Sequence, residues 1–137
     1  MCVFCKIVAG EIPAYRLYED DDVLAFLDIT QGTKGHTLLI PKKHVNNVYE
    51  MDEALARTLF AKVPMLARAL KKAFNPIGLN VVNNNDQPLQ SVYHIHLHLI
   101  PRYENDGMKL TTLNRMSELK EDDYTAIQEA VVAHVNH

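Results

Sequence analysis

Three of the seven histidines of this 137-residue chain stand at every second position, in "SVYHIHLHLIPR" (Ser91–Arg102). Histidine changes charge near neutral pH and serves metals, phosphates and proton transfer. One histidine on a solvated face asks for no explanation; three in register, His94, His96 and His98, do. A second set of reactive side chains lies near the N-terminus, where Cys2 and Cys5 form a C-x-x-C pair. Two thiolates at that spacing supply half of a closed zinc site, which needs two more ligands. A thioredoxin-like redox pair would instead follow a strand and open a helix, and no strand precedes Cys2.

The elements that hold these groups follow from periodicity. Ile95 and Leu97 separate the histidines, and Tyr93 and Leu99 extend the alternation, so a period of two predicts a half-buried strand. Tyr93, Ile95, Leu97 and Leu99 then face the core, with the histidines about 6–7 Å apart on the other face. A helix would scatter them around its cylinder. Pro101 is expected to end this strand. "YRLYEDDDVLAFLD" (15–28) reads as a hairpin about an acidic turn. "GHTLLIPKKH" (35–44) is another strand, opened by Gly35 and closed by Pro41. Over 51–74, Leu55, Leu59, Val63, Leu66, Leu70 and Phe74 recur at helical spacing, with Asp52 as N-cap. Pro64 should kink that helix or split it in two. "GLNVVNN" (78–84) is a strand leading into the polar loop "NNDQPLQ", and "KEDDYTAIQEAVVAHV" (120–135) is a final amphipathic helix. Strands gathered about one main helix, without βαβ alternation, predict an α+β fold on a largely antiparallel sheet.

The length suits one domain, 1–137, with a single core. A formal net charge of −3 argues against extended electrostatic nucleic-acid binding. No apolar run approaches membrane-spanning length and no signal peptide is seen, so a cytoplasmic protein without structural disulfides and without a membrane partner is expected.

His94-Ile95-His96-Leu97-His98 matches the H-φ-H-φ-H signature of the histidine triad (HIT) proteins. "CVFCKIVAGEIPAYRLYEDDDVLAFLDI", "GHTLLIPKKHV", "NNN" and "QSVYHIHLHLIPR" resemble the Hint-like branch, particularly its small bacterial members. The resemblance covers a core of about 2–102 and leaves 103–137 as a C-terminal extension. It implies an α+β, HIT-like fold: a mainly antiparallel five-stranded sheet, one long helix and a C-terminal helix. It also implies a homodimer, purine nucleotide substrates and no organic cofactor.

Splitting a P–N or P–O bond at an α-phosphate requires a nucleophile, a proton for the leaving group and donors to the phosphoryl oxygens. By resemblance His96 is the nucleophile, forming a covalent nucleotidyl-histidine, while His98 and His36 donate to phosphate oxygens. Ser91 matches a serine near the leaving group, and Asn83 an asparagine that contacts phosphate or leaving group; from residue type alone both are loop and turn formers. Asp28 matches the acceptor for the ribose hydroxyls. Val3, Phe4, Ile7, Phe26, Leu27 and Ile29 fall where the family places its apolar base cleft. Zinc-bearing members point to His44 and His94 as the ligands that join Cys2 and Cys5 around a structural Zn2+, leaving His96 and His98 free.

The loop before the triad departs from the family's N-x-G-x-x-x-G-Q, with Asn85, Pro88 and Leu89 instead. The usual glycines let backbone approach phosphate closely. Asn tolerates the left-handed conformation and so can stand in for glycine at 85, whereas the bulkier Leu89 is expected to narrow or reshape the site. The leading functional reading is an AMP-releasing purine nucleoside phosphoramidase. The alternatives are a dinucleoside polyphosphate hydrolase or nucleotidyltransferase, or a nucleotide-binding regulatory protein with vestigial turnover. A DNA-repair deadenylase would need an added basic or zinc-finger module. His134 and His137 read as exposed and without role.

Overall fold

In the computed structural model, which describes residues 2–135, the apolar runs pair into one five-stranded sheet of order β1-β2-β3-β5-β4. The strands are β1 (Arg16–Glu19), β2 (Val23–Leu27), β3 (Thr37–Pro41), β4 (Gly78–Asn83) and β5 (Leu97–Arg102). Every neighbouring pair is antiparallel. β2 and β3 are continuous apolar runs rather than alternating ones, because both faces of the sheet are covered there. On one face Val23, Ala25, Leu39, Leu97 and Leu99 pack with Leu59, Leu66 and Leu70. On the other, Leu24, Phe26, Leu38 and Ile40 pack against Phe4 and Ile7 of a short helix, α1 (Val3–Val8). The chain is thus α+β. Among the described residues no helix is long and apolar enough to cross a membrane.

The long helical run is split in two. α2 (Glu53–Phe60) opens as expected on Asp52, whose side chain accepts from the Leu55 N–H at 2.8 Å. α3 (Val63–Phe74) begins with Pro64 in its first turn. There the missing N–H has no helical partner to lose, so the proline starts a helix instead of breaking one. α4 (Glu121–Val132) buries no residue. The expected amphipathic helix therefore exists, but neither face is covered by the described residues. His134 is exposed, and His137 lies outside the described residues.

The histidine strand begins later than the alternation suggests. β3 pairs with β5 only over Leu97–Leu99, and β4 from Leu97 onward. Ahead of Leu97 there is no partner strand among the described residues, and the Ile95 N–H goes to the Val45 carbonyl at 2.8 Å. Alternation without a partner does not make a strand. Tyr93, expected in the core, is 37% exposed in that irregular stretch, whereas Ile95 is fully buried. Pro101 lies inside β5, opposite Leu79. The ladder to β3 stops at Leu99, so the imino nitrogen sits where the sheet is paired on one side only, a place that tolerates proline.

Candidate functional site

Segment 90–96 is folded back by its own polar groups. Gln90, 1% exposed, donates to the carbonyls of Asn46 (2.6 Å) and Val92 (3.0 Å) and accepts from the Asp86 N–H (2.9 Å). This lays His94 and His96 into the protein, at 0% and 3% exposure, instead of on a solvated sheet face. His98 follows on β5 beside Leu38 of β3.

Hydrogen bonds fix which ring nitrogen carries each proton. His96 Nδ1 lies 2.8 Å from the His94 carbonyl. A carbonyl only accepts, so Nδ1 holds the proton and Nε2 keeps the lone pair. The Gly32 N–H donates to His36 Nδ1 at 3.3 Å, which places the His36 proton on Nε2. Nε2 in turn donates to His98 Nδ1 at 2.9 Å, leaving the His98 proton on its own Nε2. That relay ends in an N–H on His98, while the His94 carbonyl independently leaves a lone pair on His96, the two ring centres being 5.0 Å apart.

Burial pushes the pKa of His36 and His96 down, against the opposing pull of Asp28. His98 is lowered to about 4 by burial and by its two histidine neighbours. The rings are therefore neutral at pH 7, as the proton order requires. Burial by itself would raise Asp28, but two hydrogen bonds from Thr30 and the nearby His36 and His98 hold its pKa below the ordinary carboxylate value. Its Oδ1 accepts from the Thr30 N–H and hydroxyl, and Oδ2 lies 3.6 Å from His36 Nε2.

His96, His98, Ser91 and Asp28 line one cavity of about 680 Å3. Val3, Phe4 and Ile7 of α1 form one wall, and Phe26, Leu27 and Ile29 another. Phe4 stands edge-on to both Phe26 (5.5 Å between centres) and His96 (5.1 Å). Ten of the sequence-identified residues thus share one space. His36 is not among the lining residues and reaches the site through His98. Asn83 is also set back: its amide donates to the His96 carbonyl at 3.2 Å and accepts from Asn85 at 2.6 Å. Sequence reading missed Ile12, Pro13, Ala14, Tyr15, Thr30, Leu38 and Val92. "IPAY" carries no chemical signature, and only the path of the chain from α1 to β1 brings it there.

The Gly-poor loop behaves differently from expectation. Asp86, not Asn85, has the positive φ (65°). The Asn85 side chain is engaged instead, with the Val48 N–H (2.9 Å) and Asn83. Leu89 is 67% exposed and is not among the cavity-lining residues.

A second cluster adjoins the first. The donor atoms of Cys2, Cys5, His44 and His94 lie within 4.8 Å of one another. Cys2 Sγ is 3.4 Å and Cys5 Sγ 3.5 Å from His94 Nδ1, Cys5 Sγ is 3.3 Å from His44 Nδ1, and the two Nδ1 atoms are 3.2 Å apart. A zinc tetrahedron with Zn–N near 2.05 Å and Zn–S near 2.3 Å has N–N edges of about 3.3 Å and N–S edges of about 3.5 Å. The outer nitrogens are committed, His94 Nε2–H to the Pro41 carbonyl (2.7 Å) and His44 Nε2–H to Asn46 Oδ1 (3.0 Å). Both inner lone pairs then face each other and the sulfurs, an arrangement a cation relieves. Burial and the neighbouring Cys2 push the Cys5 thiol up, so its thiolate needs a positive charge beside it. The residues fit Zn2+. Cys2 also caps α1, accepting from the Cys5 N–H.

The family model described as HIT domain matches residues 9–105. The chain is 50% identical over 132 residues to Protein hit of Bacillus subtilis (strain 168), across 95% of this chain and 91% of that one. It is 39% identical over 122 residues to a protein of Arabidopsis thaliana named Adenylylsulfatase HINT3, across 88% and 62% of the two chains. Among solved structures, a HIT family member from Bacillus subtilis superposes with a TM-score of 0.95 at 48% identity, covering 99% of this chain and 98% of that one. A Zn-bound histidine triad family protein from Mycobacterium smegmatis superposes at 0.74 and 34% identity, covering 94% and 96%.

Proposed function

The chain belongs to the HIT family, and from that premise we propose that it is an AMP-releasing hydrolase acting at the α-phosphate of purine nucleoside phosphoramidates. One observation carries the reading: the His94 carbonyl holds the His96 proton on Nδ1 and leaves the Nε2 lone pair as a nucleophile beside the His98 N–H. In the first step His96 Nε2 bonds to the α-phosphorus, the P–N bond breaks, and the departing nitrogen takes its electron pair and a proton from the Ser91 hydroxyl. Water then attacks the nucleotidyl-histidine and returns a proton to the Ser91 oxygen; the new P–O bond forms, and the P–N bond to His96 breaks, restoring the Nε2 lone pair and releasing AMP. His98 Nε2–H and the Ser91 hydroxyl donate to phosphoryl oxygens and the leaving group. Asp28 receives the ribose hydroxyls at Oδ2, and the base lies against Phe4, Ile7 and Phe26. Asn83 acts from behind, bracing the His96 backbone.

No lysine or arginine is among the cavity-lining residues described. Neutral N–H and O–H donors suit one phosphoryl group flanked by an apolar base better than a polyphosphate chain, which favours this reading over the dinucleoside polyphosphate alternative. The name of the Arabidopsis relative brings a sulfate leaving group on the same α-phosphate into consideration. Cys2, Cys5, His44 and His94 would hold a structural zinc, which when bound would supply a cross-link between α1, the loop after β3 and the segment before β5, outside the phosphoryl step. The chain acts as one domain and as a homodimer.

The test is a substrate panel: adenosine and guanosine phosphoramidates, an adenylyl sulfate and a diadenosine polyphosphate. Turnover of the phosphoramidates with AMP or GMP as product is expected. Fast cleavage of the polyphosphate with none of the phosphoramidates would reverse the assignment.

A further inference from the structure

The β2–β3 connection, residues 28–36, carries Asp28 at one end and His36 at the other. The strands' last pair is Leu27–Thr37, and the Asp28 N–H still reaches the His36 carbonyl at 3.0 Å. Past that bond the Gln31 side chain ties the main chain at both ends of the connection. Gln31 Nε2 donates to the Asp28 carbonyl (2.8 Å) and to the His36 carbonyl (2.7 Å), and its Oε1 accepts from the Gly35 N–H (2.8 Å). Both amide protons and the carbonyl are used, all on backbone and all inside the connection. Gln31 holds a positive φ of 42°, unusual for a residue with a side chain; such a conformation persists where its surroundings over-determine it.

We infer that Gln31 is a positioning residue: it clamps the backbones of Asp28 and His36 together and so sets the proton order that His36 hands to His98. The chain of cause is short. The clamp fixes the His36 main chain next to Gly32, whose N–H selects the His36 tautomer at Nδ1. His36 Nε2–H then points at His98 Nδ1 and past Asp28 Oδ2. Without the clamp, His36 is free to present either nitrogen, and the N–H on the cavity side of His98 is no longer guaranteed. Thr33, in the same connection, is anchored elsewhere, its hydroxyl on the Pro101 carbonyl at 2.6 Å, and serves as the control.

The kinetic arm of the test rests on the proposed phosphoryl chemistry; the spectroscopic arm does not. Long-range 1H–15N spectra of the imidazoles report the tautomers of His36 and His98 in the absence of substrate. In wild type both should show protonated Nε2 and unprotonated Nδ1. Gln31→Leu and Gln31→Met should average the His36 pattern, and lower kcat on the substrate found in the panel by roughly 10- to 100-fold, as for an ångström-scale misplacement. Thr33→Val should leave both readouts as in wild type, whatever it does to the melting temperature. Folded Gln31 variants with an unchanged His36 pattern and kcat within twofold would overturn the inference. So would loss of folding in both variants, which would make Gln31 a purely structural residue. A wild-type protein with the expected tautomers but no phosphoramidase activity would fail the functional reading and leave the clamp standing.

Discussion

His96 commits one nitrogen to a main-chain carbonyl and keeps the other free, so truncating it removes the nucleophile without touching the base cleft. His96→Ala should lower turnover by several powers of ten, each worth about 1.4 kcal/mol of barrier, while AMP still binds, as calorimetry would show. His98→Ala should be slower by about 10²–10⁴-fold but not dead, the usual contribution of a positioned proton donor. A His96→Ala protein near wild-type rate would reduce the triad to a phosphate-binding comb. The depressed histidines also predict how stability varies with pH. His98 titrates at about 4 when folded, against an ordinary 6.5. Between those values the unfolded chain binds a proton that the folded one refuses, so stability is full above about 6.5 and is lost as pH falls toward 4. His36 and His96 shift the same way and add to the slope. Urea midpoints measured from pH 7.5 to 4.5 check it, and His98→Asn should flatten the curve. The type and spacing of the histidines, Cys2 and Cys5 made the chemical groups legible before folding. The tautomers were not, because each depends on a carbonyl or N–H whose direction only the backbone path decides.

Elements divide by what stabilises them. β2, β3 and the split α2–α3 pair were readable because their own apolar pattern specifies them, and Pro64 marked the break. The start of β5 was not, since alternation from Tyr93 to His96 needs a neighbouring strand and has none. Helix α1 was missed for a different reason: six residues are too few to hold a helix unaided. It persists on the Cys2 cap and on Phe4 and Ile7, each 7% exposed, packed against the sheet. That dependence makes a prediction about metal. Freshly purified protein should contain about one zinc per chain if the four donors close a tetrahedron, and Cys5→Ser should lower both zinc content and melting temperature. Elemental analysis without zinc would remove the assignment. Activity abolished by mild chelation, with melting unchanged, would instead make the metal catalytic.

The whole molecule leaves apolar surface that one chain does not cover. Phe74, Ile77 and Val81 are 36%, 76% and 46% exposed along α3 and the β4 edge. Tyr124, Ile127 and Val131 are exposed on α4. β4 is an edge strand, and unpaired edges invite pairing. A two-fold axis along this side would bury the apolar surface and continue the sheet. Sedimentation at micromolar concentration should give a dimer, and Val81→Lys should shift it toward monomer; a strictly monomeric wild type would contradict the dimer. Helix α1 has a wider consequence, because with its N-cap Cys2 it gives two thiols to one cluster and three cavity-wall side chains, Val3, Phe4 and Ile7, to another. The two sites then share a free energy. Metal loading should tighten the nucleotide, and bound nucleotide should slow metal loss by the same factor, since linkage between two binding equilibria is reciprocal. A partly metallated preparation would consequently be two populations, and its nucleotide titration the sum of two isotherms.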